Sequence, residues 1–185
     1  MDNGASSYRR YLDGDDKGLT EIVSEYKNGL MLYINQFVNN FCIAEELTED
    51  TFFRLITKKP KFYGKSSFRS WLYAIGRNTA IDHIRRNSQF TDTPIEEMDN
   101  YISDGKSLEQ SYITEESKKV LHSAMAKLTP DYRRVLWLVY FEDFSNSEVA
   151  AVMKKNDRQI KNLLYRAKKS LKAELDKEGF TYENL

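Results

Sequence analysis

Hydrophobic residues recur every three or four positions through the first 90 residues, which is the spacing of one face of an α-helix. The first run comprises Leu19, Ile22, Val23, Tyr26, Leu30, Tyr33, Ile34, Phe37, Val38 and Phe41. Two further runs predict helices over about 44–56 and about 68–86. Between these two helices the stretch KKPKFYGKSS contains a proline and a glycine, so we predict a loop there.

The predicted helix over 68–86 carries apolar residues on two sides. The two stripes comprise Phe68, Leu72 and Ile75 and, roughly opposite, Ala74, Ile81 and Ile84. A helix with this pattern packs between other helices, which leaves few of its positions exposed. The polar residues of this helix that most need an explanation are therefore Arg77, Asn78, Arg85 and Arg86, and the helical pattern does not select among them.

The C-terminal part of the chain has the pattern of a helix-turn-helix. A helix is predicted over about 108–128, and the Thr-Pro pair that follows it offers an N-cap and a first-turn proline for the next helix. Two capping boxes come next, formed by Ser145 with Glu148 and by Asn156 with Gln159. Each capping box predicts the start of a helix, and the two predicted helices are separated by a short turn.

The second helix of this pair has an apolar face and a basic face. The apolar face comprises Ile160, Leu163, Leu164, Ala167, Leu171 and Leu175. Residues 154–172 contain eight Lys or Arg and a single acidic residue, Asp157. A surface helix that contributed only stability would mix charges to gain ion pairs four residues apart. We therefore favour insertion into the DNA major groove over the simpler alternative of a solvated helix face.

Charge is unevenly distributed along the chain, although Lys plus Arg and Asp plus Glu number 28 each. Residues 8–90 hold 13 basic and 10 acidic residues, and residues 118–178 hold 14 basic and 8 acidic residues. Residues 91–117 hold one basic and eight acidic residues, so an acidic connector separates two basic blocks. This pattern indicates a polyanion that is bound at two places.

The predicted loop before the 68–86 helix combines cations with aromatic rings. Residues 54–69 contain six basic residues and no acidic one, interleaved with Phe62, Tyr63 and Phe68. This combination suits single-stranded nucleic acid, because every base has a face on which a ring can stack. The alternative is that Phe62 or Tyr63 folds back onto the core.

Composition argues against several other classes of protein. The single cysteine, Cys42, excludes an internal disulfide and a cysteine metal cluster. His83 and His122 are isolated, and we find no phosphate-binding glycine loop, so we expect no enzyme, no metal, no cofactor and no small-molecule substrate. We also find no signal peptide and no apolar run of the ~20 residues that a membrane span needs, so a cytoplasmic protein is expected.

Three stretches of the sequence resemble bacterial sigma factors, specifically the compact extracytoplasmic-function group. AEELTEDTFFRLI is similar to the family's polymerase-binding segment, and FYGKSSFRSWLYAIGRNTAIDHIRR is similar to its −10 loop and helix. LTPDYRRVLWLVYFEDFSNSEVAAVMKKNDRQIKNLLYRAKKSL is similar to its C-terminal DNA-binding domain. The resemblance implies an all-α fold with two small helical domains, over 8–90 and 108–178, joined by an acidic linker over 91–107.

By this resemblance, the first domain binds core RNA polymerase and the melted −10 strand of promoter DNA, and the helix-turn-helix domain reads the −35 duplex. The implied polymerase-binding residues are Glu46, Glu49 and Asp50. The implied −10 residues are Lys61, Phe62, Tyr63, Lys65, Ser66, Arg69, Arg77 and Asn78. The implied −35 residues are Arg158, Gln159, Lys161, Asn162, Tyr165, Arg166 and Lys168. Members of this group commonly have an inhibitory anti-sigma factor as a further partner.

The sequence departs from the family pattern at two positions, and two other functions are compatible with parts of it. The family often has Gly where Lys154 stands and Ser where Asn156 stands, and a lysine makes a tight left-handed turn less favourable. An ordinary transcription regulator would explain the C-terminal half alone. An interaction adaptor is the second alternative, since many helical bundles bind only proteins.

Overall fold

The computed structural model describes residues 3–88 and 115–178, and every regular element in these ranges is an α-helix. The helices are α1 (Asn3–Leu12), α2 (Asp16–Val38), α3 (Phe41–Lys58), α4 (Phe68–Ser88), α5 (Glu115–Ala126), α6 (Pro130–Tyr140), α7 (Asn146–Met153) and α8 (Asp157–Lys177). The predicted all-α class is confirmed. The acidic linker predicted over 91–107 lies outside the described residues. No helix in the described ranges is long and apolar enough to span a bilayer.

The first four helices form a bundle in which α4 is enclosed on several sides. It packs against α1, α2 and α3, and its residues Phe68, Leu72 and Ala80 are fully buried. Leu30 and Ile34 of α2 lie against Gly76 of α4. The two-sided apolar pattern of α4 therefore has the predicted cause: this helix has neighbours on more than one side.

Two adjacent asparagines divide the N-terminal apolar run into separate helices. Asn39 has a left-handed backbone conformation (φ 46°, ψ 37°) and ends α2, and the side chain of Asn40 accepts a hydrogen bond from the backbone N–H of Ile43 at the start of α3. Phe41, which the sequence pattern assigns to the first run, is consequently in α3 and is 44% exposed. The predicted helix over 44–56 begins three residues earlier and ends two residues later than expected.

Helix α1 is an element that the apolar pattern did not predict. Its buried aromatic residues are Tyr8 and Tyr11, and it approaches α2 closely at Gly18. A Cβ atom on Gly18 would lie 2.2 Å from the backbone oxygen of Ser7. The absence of a side chain at this position is what allows the two helix backbones to approach.

The last four helices contain the predicted helix-turn-helix in α7 and α8. Both capping boxes, Ser145 with Glu148 and Asn156 with Gln159, are present, so these predictions are confirmed. On α8, Ile160, Ala167 and Leu175 are buried, whereas the other predicted apolar positions are only partly buried against the core. Thr129 is the N-cap of α6, but its side chain makes no capping hydrogen bond; Pro130 occupies the first turn as expected.

The two groups of helices also pack against each other. Helix α4 contacts α7, and α2 contacts α6. The guanidinium of Arg134 lies 3.9 Å from the ring centroid of Phe37, and a nitrogen of Arg133 donates to the backbone oxygen of Gln36 at 3.4 Å. Buried residues from both groups thus form one continuous apolar cluster.

We predict that Gly18→Ala lowers the free energy of unfolding by about 1–3 kcal/mol, the usual cost of overpacking. Alanine has a higher helix propensity than glycine by ~1 kcal/mol, so the sign of the effect tests the close contact between α1 and α2. Urea unfolding of the purified chain measures it. Asn28→Ala, at an exposed position of the same helix, is the matched control and should not destabilise. Equal stability of Gly18→Ala and the parent chain would contradict the packing of α1.

Candidate nucleic-acid interface

The exposed face of α8 carries all the basic and polar residues that the sequence assigned to duplex binding. Arg158, Lys161, Asn162, Tyr165, Arg166 and Lys168 are exposed, and Tyr165 has 71% of its surface accessible. No carboxylate within the described ranges forms an ion pair with Arg158, Lys161 or Arg166. Their charges are therefore available to an external anion such as a DNA phosphate.

Two of the predicted residues on α8 also make contacts within the domain. The carboxamide oxygen of Gln159 accepts the backbone N–H of Asn156 at 2.9 Å, so this side chain holds the first turn of α8 in place. The ammonium of Lys168 lies 5.3 Å from the ring centroid of Tyr140, within the range of a cation–π interaction. The predicted residues for which the described ranges show no such contact are Arg158, Lys161, Asn162, Tyr165 and Arg166.

The turn between α7 and α8 has left-handed backbone geometry, although a lysine stands where the family often has glycine. Lys154 ends α7 with φ 55° and ψ 44°, and the backbone N–H groups of Lys154 and Lys155 both donate to the carbonyl of Ala150. The side chain of Lys155 pairs with Asp131 at 3.2 Å, which joins the turn to α6. These contacts hold a non-glycine residue in a conformation that glycine would adopt with less strain.

The basic loop before α4 is anchored by one aromatic ring and exposes another. The ring of Phe62 lies 5.6 Å from that of Phe68 and 5.3 Å from that of Trp71, so it folds back onto the core as the alternative reading allowed. Tyr63 is 76% exposed, and Gly64 follows it with a left-handed φ of 68°. The exposed Lys61 and Lys65 lie on the same loop. Tyr63 is therefore the ring of this loop that is free to stack on a base.

A hydrogen bond from α1 also fixes this loop. The hydroxyl of Tyr8 donates to the backbone oxygen of Pro60 at 2.8 Å. Burial, with a smaller contribution from Tyr11, raises the pKa of Tyr8 to about 12, so the hydroxyl remains a donor at physiological pH. Helix α1, which the sequence pattern missed, thus holds the start of the loop.

The three α4 residues assigned to the same site do not lie on one face of the helix. Arg69 forms an ion pair with Glu142, between α6 and α7, with an N–O distance of 2.6 Å. Arg77 lies eight residues after Arg69, about two helical turns along the same face, and is partly buried. Asn78, two turns after Trp71, shares the side of the aromatic cluster. The structure therefore turns Arg69 towards the helix-turn-helix, whereas Asn78 lies on the helix face of Trp71.

A separate surface on α3 combines acidic and apolar residues. Glu46, Glu49 and Asp50 are exposed, and a groove between α2 and α3 places the last two beside Phe53 and Ile56. Phe53 is 60% exposed and Ile56 is 42% exposed. Both belong to the apolar pattern that predicted the helix over 44–56, but they lie outside the helical repeat of its buried positions, and nothing in the sequence indicated a binding role for them. We call these five residues the α3 surface.

The α3 surface extends towards α4 at its N-terminal end. Burial lowers the pKa of His83 on α4, and Arg86 lowers it further, while Glu46 and Asp50 act in the opposite direction. The two carboxylates therefore lie close enough to His83 to affect its charge. Within the described residues, no group of His, Cys, Asp and Glu side chains could hold a metal ion.

Comparisons with known proteins match both parts of the chain. Residues 22–90 match the family model for Sigma-70 region 2, and residues 118–171 match that for Sigma-70, region 4. The RNA polymerase sigma-H factor of Pseudomonas aeruginosa is 28% identical over 85% of this chain and 86% of that protein. The ECF RNA polymerase sigma factor SigM of Bacillus subtilis is 28% identical over 84% of this chain and 93% of that protein.

A solved structure has the same fold. It is the sigma factor RpoE in complex with the anti-sigma factor NepR from Bartonella quintana, and it aligns with a TM-score of 0.70. The alignment covers 86% of this chain and 98% of that one at 20% sequence identity. The fold is therefore shared despite low identity.

We predict that Lys154→Gly raises the free energy of unfolding by about 1 kcal/mol, because glycine adopts the left-handed conformation of this turn without steric strain. Lys154→Ala is the matched control, since it removes the same charge but keeps the Cβ atom, and we expect it to give no gain. Urea unfolding of the three chains measures the effect. A gain of equal size in both variants would assign the effect to charge instead of backbone strain.

Proposed function

Because the chain belongs to the extracytoplasmic-function group of RNA polymerase sigma factors, which act in promoter recognition and transcription initiation, we propose which surface performs each step. The exposed face of α8 reads the −35 duplex, the loop before α4 binds the melted −10 strand, and the α3 surface binds core RNA polymerase. Two observations support this proposal best. Arg158, Lys161 and Arg166 of α8 are exposed and form no ion pair among the described residues, and the first domain exposes Tyr63 between Lys61 and Lys65. We further propose that the protein acts in the cytoplasm.

The first turns of α8 are suited to the major groove. Arg158 and Asn162 carry the hydrogen-bond donors and acceptors that read base edges, and a good bidentate contact discriminates between bases by about 1–3 kcal/mol. Lys161, Arg166 and Lys168 contribute affinity through phosphates, and each neutralised phosphate adds about 0.9 to the slope of log affinity against log salt. Affinity and specificity thus come from different residues of one helix.

The loop before α4 captures unpaired bases. Separating one base step of the duplex costs about 1.4 kcal/mol on average. Stacking a base on an aromatic ring gives back about 1–3 kcal/mol, and Tyr63 is the exposed ring that is placed to do this. Capture of one or two bases therefore offsets the start of melting, with Asn78 and the loop lysines contacting the strand beside it.

The α3 surface has the composition of a protein-binding site. Phe53 and Ile56 supply an apolar centre, and Glu46, Glu49 and Asp50 supply a charged rim that selects a basic partner. The related RpoE structure also contains an anti-sigma factor. We propose that this chain has a protein inhibitor of the same kind.

Run-off transcription with purified core enzyme and a library of randomised promoter sequences tests the function as a whole. The expected result is enrichment of promoters that share two elements at a fixed separation. Transcripts that require the chain but show no common −35 element would contradict the role of α8.

We predict that Arg166→Ala weakens binding of the holoenzyme to a promoter selected in this way and lowers the salt slope by about 0.9. Arg166 is exposed and has no ion-pair partner among the described residues, so its loss should not affect folding. Lys17→Ala, which removes an exposed charge at the start of α2, is the matched control. Unchanged affinity and salt slope for Arg166→Ala would refute its contact with DNA.

We predict that reversing Glu46, Glu49 and Asp50 to lysine abolishes co-purification with core RNA polymerase, because the rim then repels a basic partner. The control reverses Asp13 and Glu25, which are exposed and do not belong to the α3 surface. Circular dichroism and urea unfolding check that both variants are folded. Stoichiometric co-purification of the triple variant would show that polymerase binds elsewhere.

A further inference from the structure

Tyr8 of α1 contacts both anchors of the basic loop between α3 and α4. Its hydroxyl donates to the backbone oxygen of Pro60 at 2.8 Å, where the loop begins. Its ring lies 5.4 Å from the rings of Phe68 and Trp71, and these are the two rings against which Phe62 packs. Tyr8 is 1% exposed, so this hydrogen bond is shielded from water. One side chain of a distant helix therefore restrains the segment from Pro60 to Phe62 at both ends.

The loop begins with a strained backbone conformation. Lys59 ends α3 with φ 40° and ψ 55°, in the left-handed region that residues other than glycine seldom adopt. Pro60 follows it, and a proline favours extended conformations of the residue before it. Strain of this kind persists only where the surroundings hold it in place. Contacts from α1 supply that restraint, because the Lys59 ammonium lies 5.1 Å from the ring centroid of Tyr11 and Tyr8 binds the next carbonyl.

Helix α1 is itself fixed to α2. Arg10 forms ion pairs with Glu21 of α2 and, at 3.1 Å, with Asp15 at the N-cap of the same helix. The hydroxyl of Ser7 donates to the Glu21 carboxylate at 2.6 Å, and Gly18 of α2 lies directly against the backbone of Ser7. The tyrosines of α1 therefore hold the loop from a firm support.

The restraint on Pro60 and Phe62 decides where the next side chain lies. Tyr63 follows Phe62 directly and is 76% exposed, while the ring of Phe62 is held against the core. Gly64 then turns the chain with a left-handed φ of 68°. A ring on a restrained loop loses less conformational entropy when a base stacks on it than a ring on a mobile loop does. Tyr8, although buried, can thus affect strand capture without contacting the strand.

We propose that Tyr8 is a positioning residue for capture of the melted strand, because its hydrogen bond to the carbonyl of Pro60 keeps the loop in the conformation that presents Tyr63 to a base. The proposal rests on the proposed function of the loop, since it takes Tyr63 as the ring on which the base stacks. Without the hydrogen bond, a smaller fraction of molecules has the competent loop, and the apparent affinity for the strand falls by that fraction. Duplex binding by α8 and polymerase binding by the α3 surface use none of these contacts.

Tyr8→Phe removes the hydroxyl and keeps the ring, so the packing on Phe68 and Trp71 is retained. The matched control is Tyr33→Phe. Tyr33 is also fully buried, but its hydroxyl has no hydrogen-bond partner among the described residues, so its removal leaves no group there unpaired. Neither tyrosine belongs to a proposed binding surface. Circular dichroism and urea unfolding check that both variants are folded.

Limited proteolysis of the full chain with trypsin measures the restraint on the loop directly. Lys61 and Lys65 are exposed cleavage sites within the loop, and Lys154, in the turn between α7 and α8, is an exposed reference site. Cleavage of a transiently opened segment follows the population of its open form. We expect Tyr8→Phe to raise the cleavage rate at the loop sites about fivefold relative to the reference site, as loss of one hydrogen bond predicts. Tyr33→Phe should leave this ratio unchanged.

An unchanged ratio in Tyr8→Phe would overturn the restraint, whatever the function of the protein. A rise in cleavage at the reference site as large as that in the loop would also overturn it, because the variant would then have loosened the whole chain. Mass spectrometry of the fragments identifies the bond that is cut.

Promoter opening by the holoenzyme tests the effect on strand capture. Permanganate oxidation of unpaired thymines reports the open fraction of a promoter selected from the randomised library. We expect Tyr8→Phe to lower the equilibrium constant for opening about fivefold, with unchanged binding of the same holoenzyme to a duplex that carries the −35 element alone. Equal opening by Tyr8→Phe and Tyr33→Phe would overturn the positioning role.

A double-mutant cycle separates positioning of Tyr63 from a general loosening of the domain. In a chain that already carries Tyr63→Ala, Tyr8→Phe should cause no further loss of promoter opening, because the ring that it positions is absent. Additive losses would overturn the positioning role. Failure of the proposed function would be seen separately, as a Tyr63→Ala chain that opens the promoter as well as the parent does. In that case the trypsin ratio still decides whether Tyr8 restrains the loop.

Discussion

The burial of α4 is the constraint on which the rest of the structure depends. This helix has apolar residues on two sides, so a single neighbouring helix cannot cover it. Helices α1, α2 and α3 enclose one side, and α7 of the second domain lies against another. The basic loop ends where α4 begins, so the position of the loop follows from the packing of this helix. The position of the candidate nucleic-acid surface of the first domain is thus set by one enclosed helix.

Elements defined by local interactions could be predicted from the sequence. The capping boxes of α7 and α8 involve residues three positions apart, and their hydrogen bonds form as the sequence indicated. The basic face of α8 follows from the helical repeat once Ile160 and Ala167 are buried. Helix α1 was missed because it is short and its buried side chains are mainly tyrosines, whose pattern is weaker than that of aliphatic residues. The role of each site residue in binding remains a prediction.

Contacts between residues distant in sequence could not be predicted in this way. Arg69 and Glu142 are separated by 73 positions, and nothing near either residue identifies the other as its partner. The sequence pattern treated Arg69 as an available cation, whereas its surroundings combine a carboxylate with two aromatic rings. Similarly, Phe62 and Tyr63 are adjacent and chemically alike, and only the positions of Phe68 and Trp71 decide which one is buried.

The position of Trp71 has a practical consequence. The chain has two tryptophans, and Trp71 lies against Phe62 at the base of the basic loop. Indole emission depends on local polarity and on quenching by nearby groups, so rearrangement of this loop would change the intrinsic spectrum of the unlabelled protein. Because Trp137 is on α6, stacked at 4.4 Å on Phe141, replacing it with phenylalanine would leave a single native reporter beside the loop.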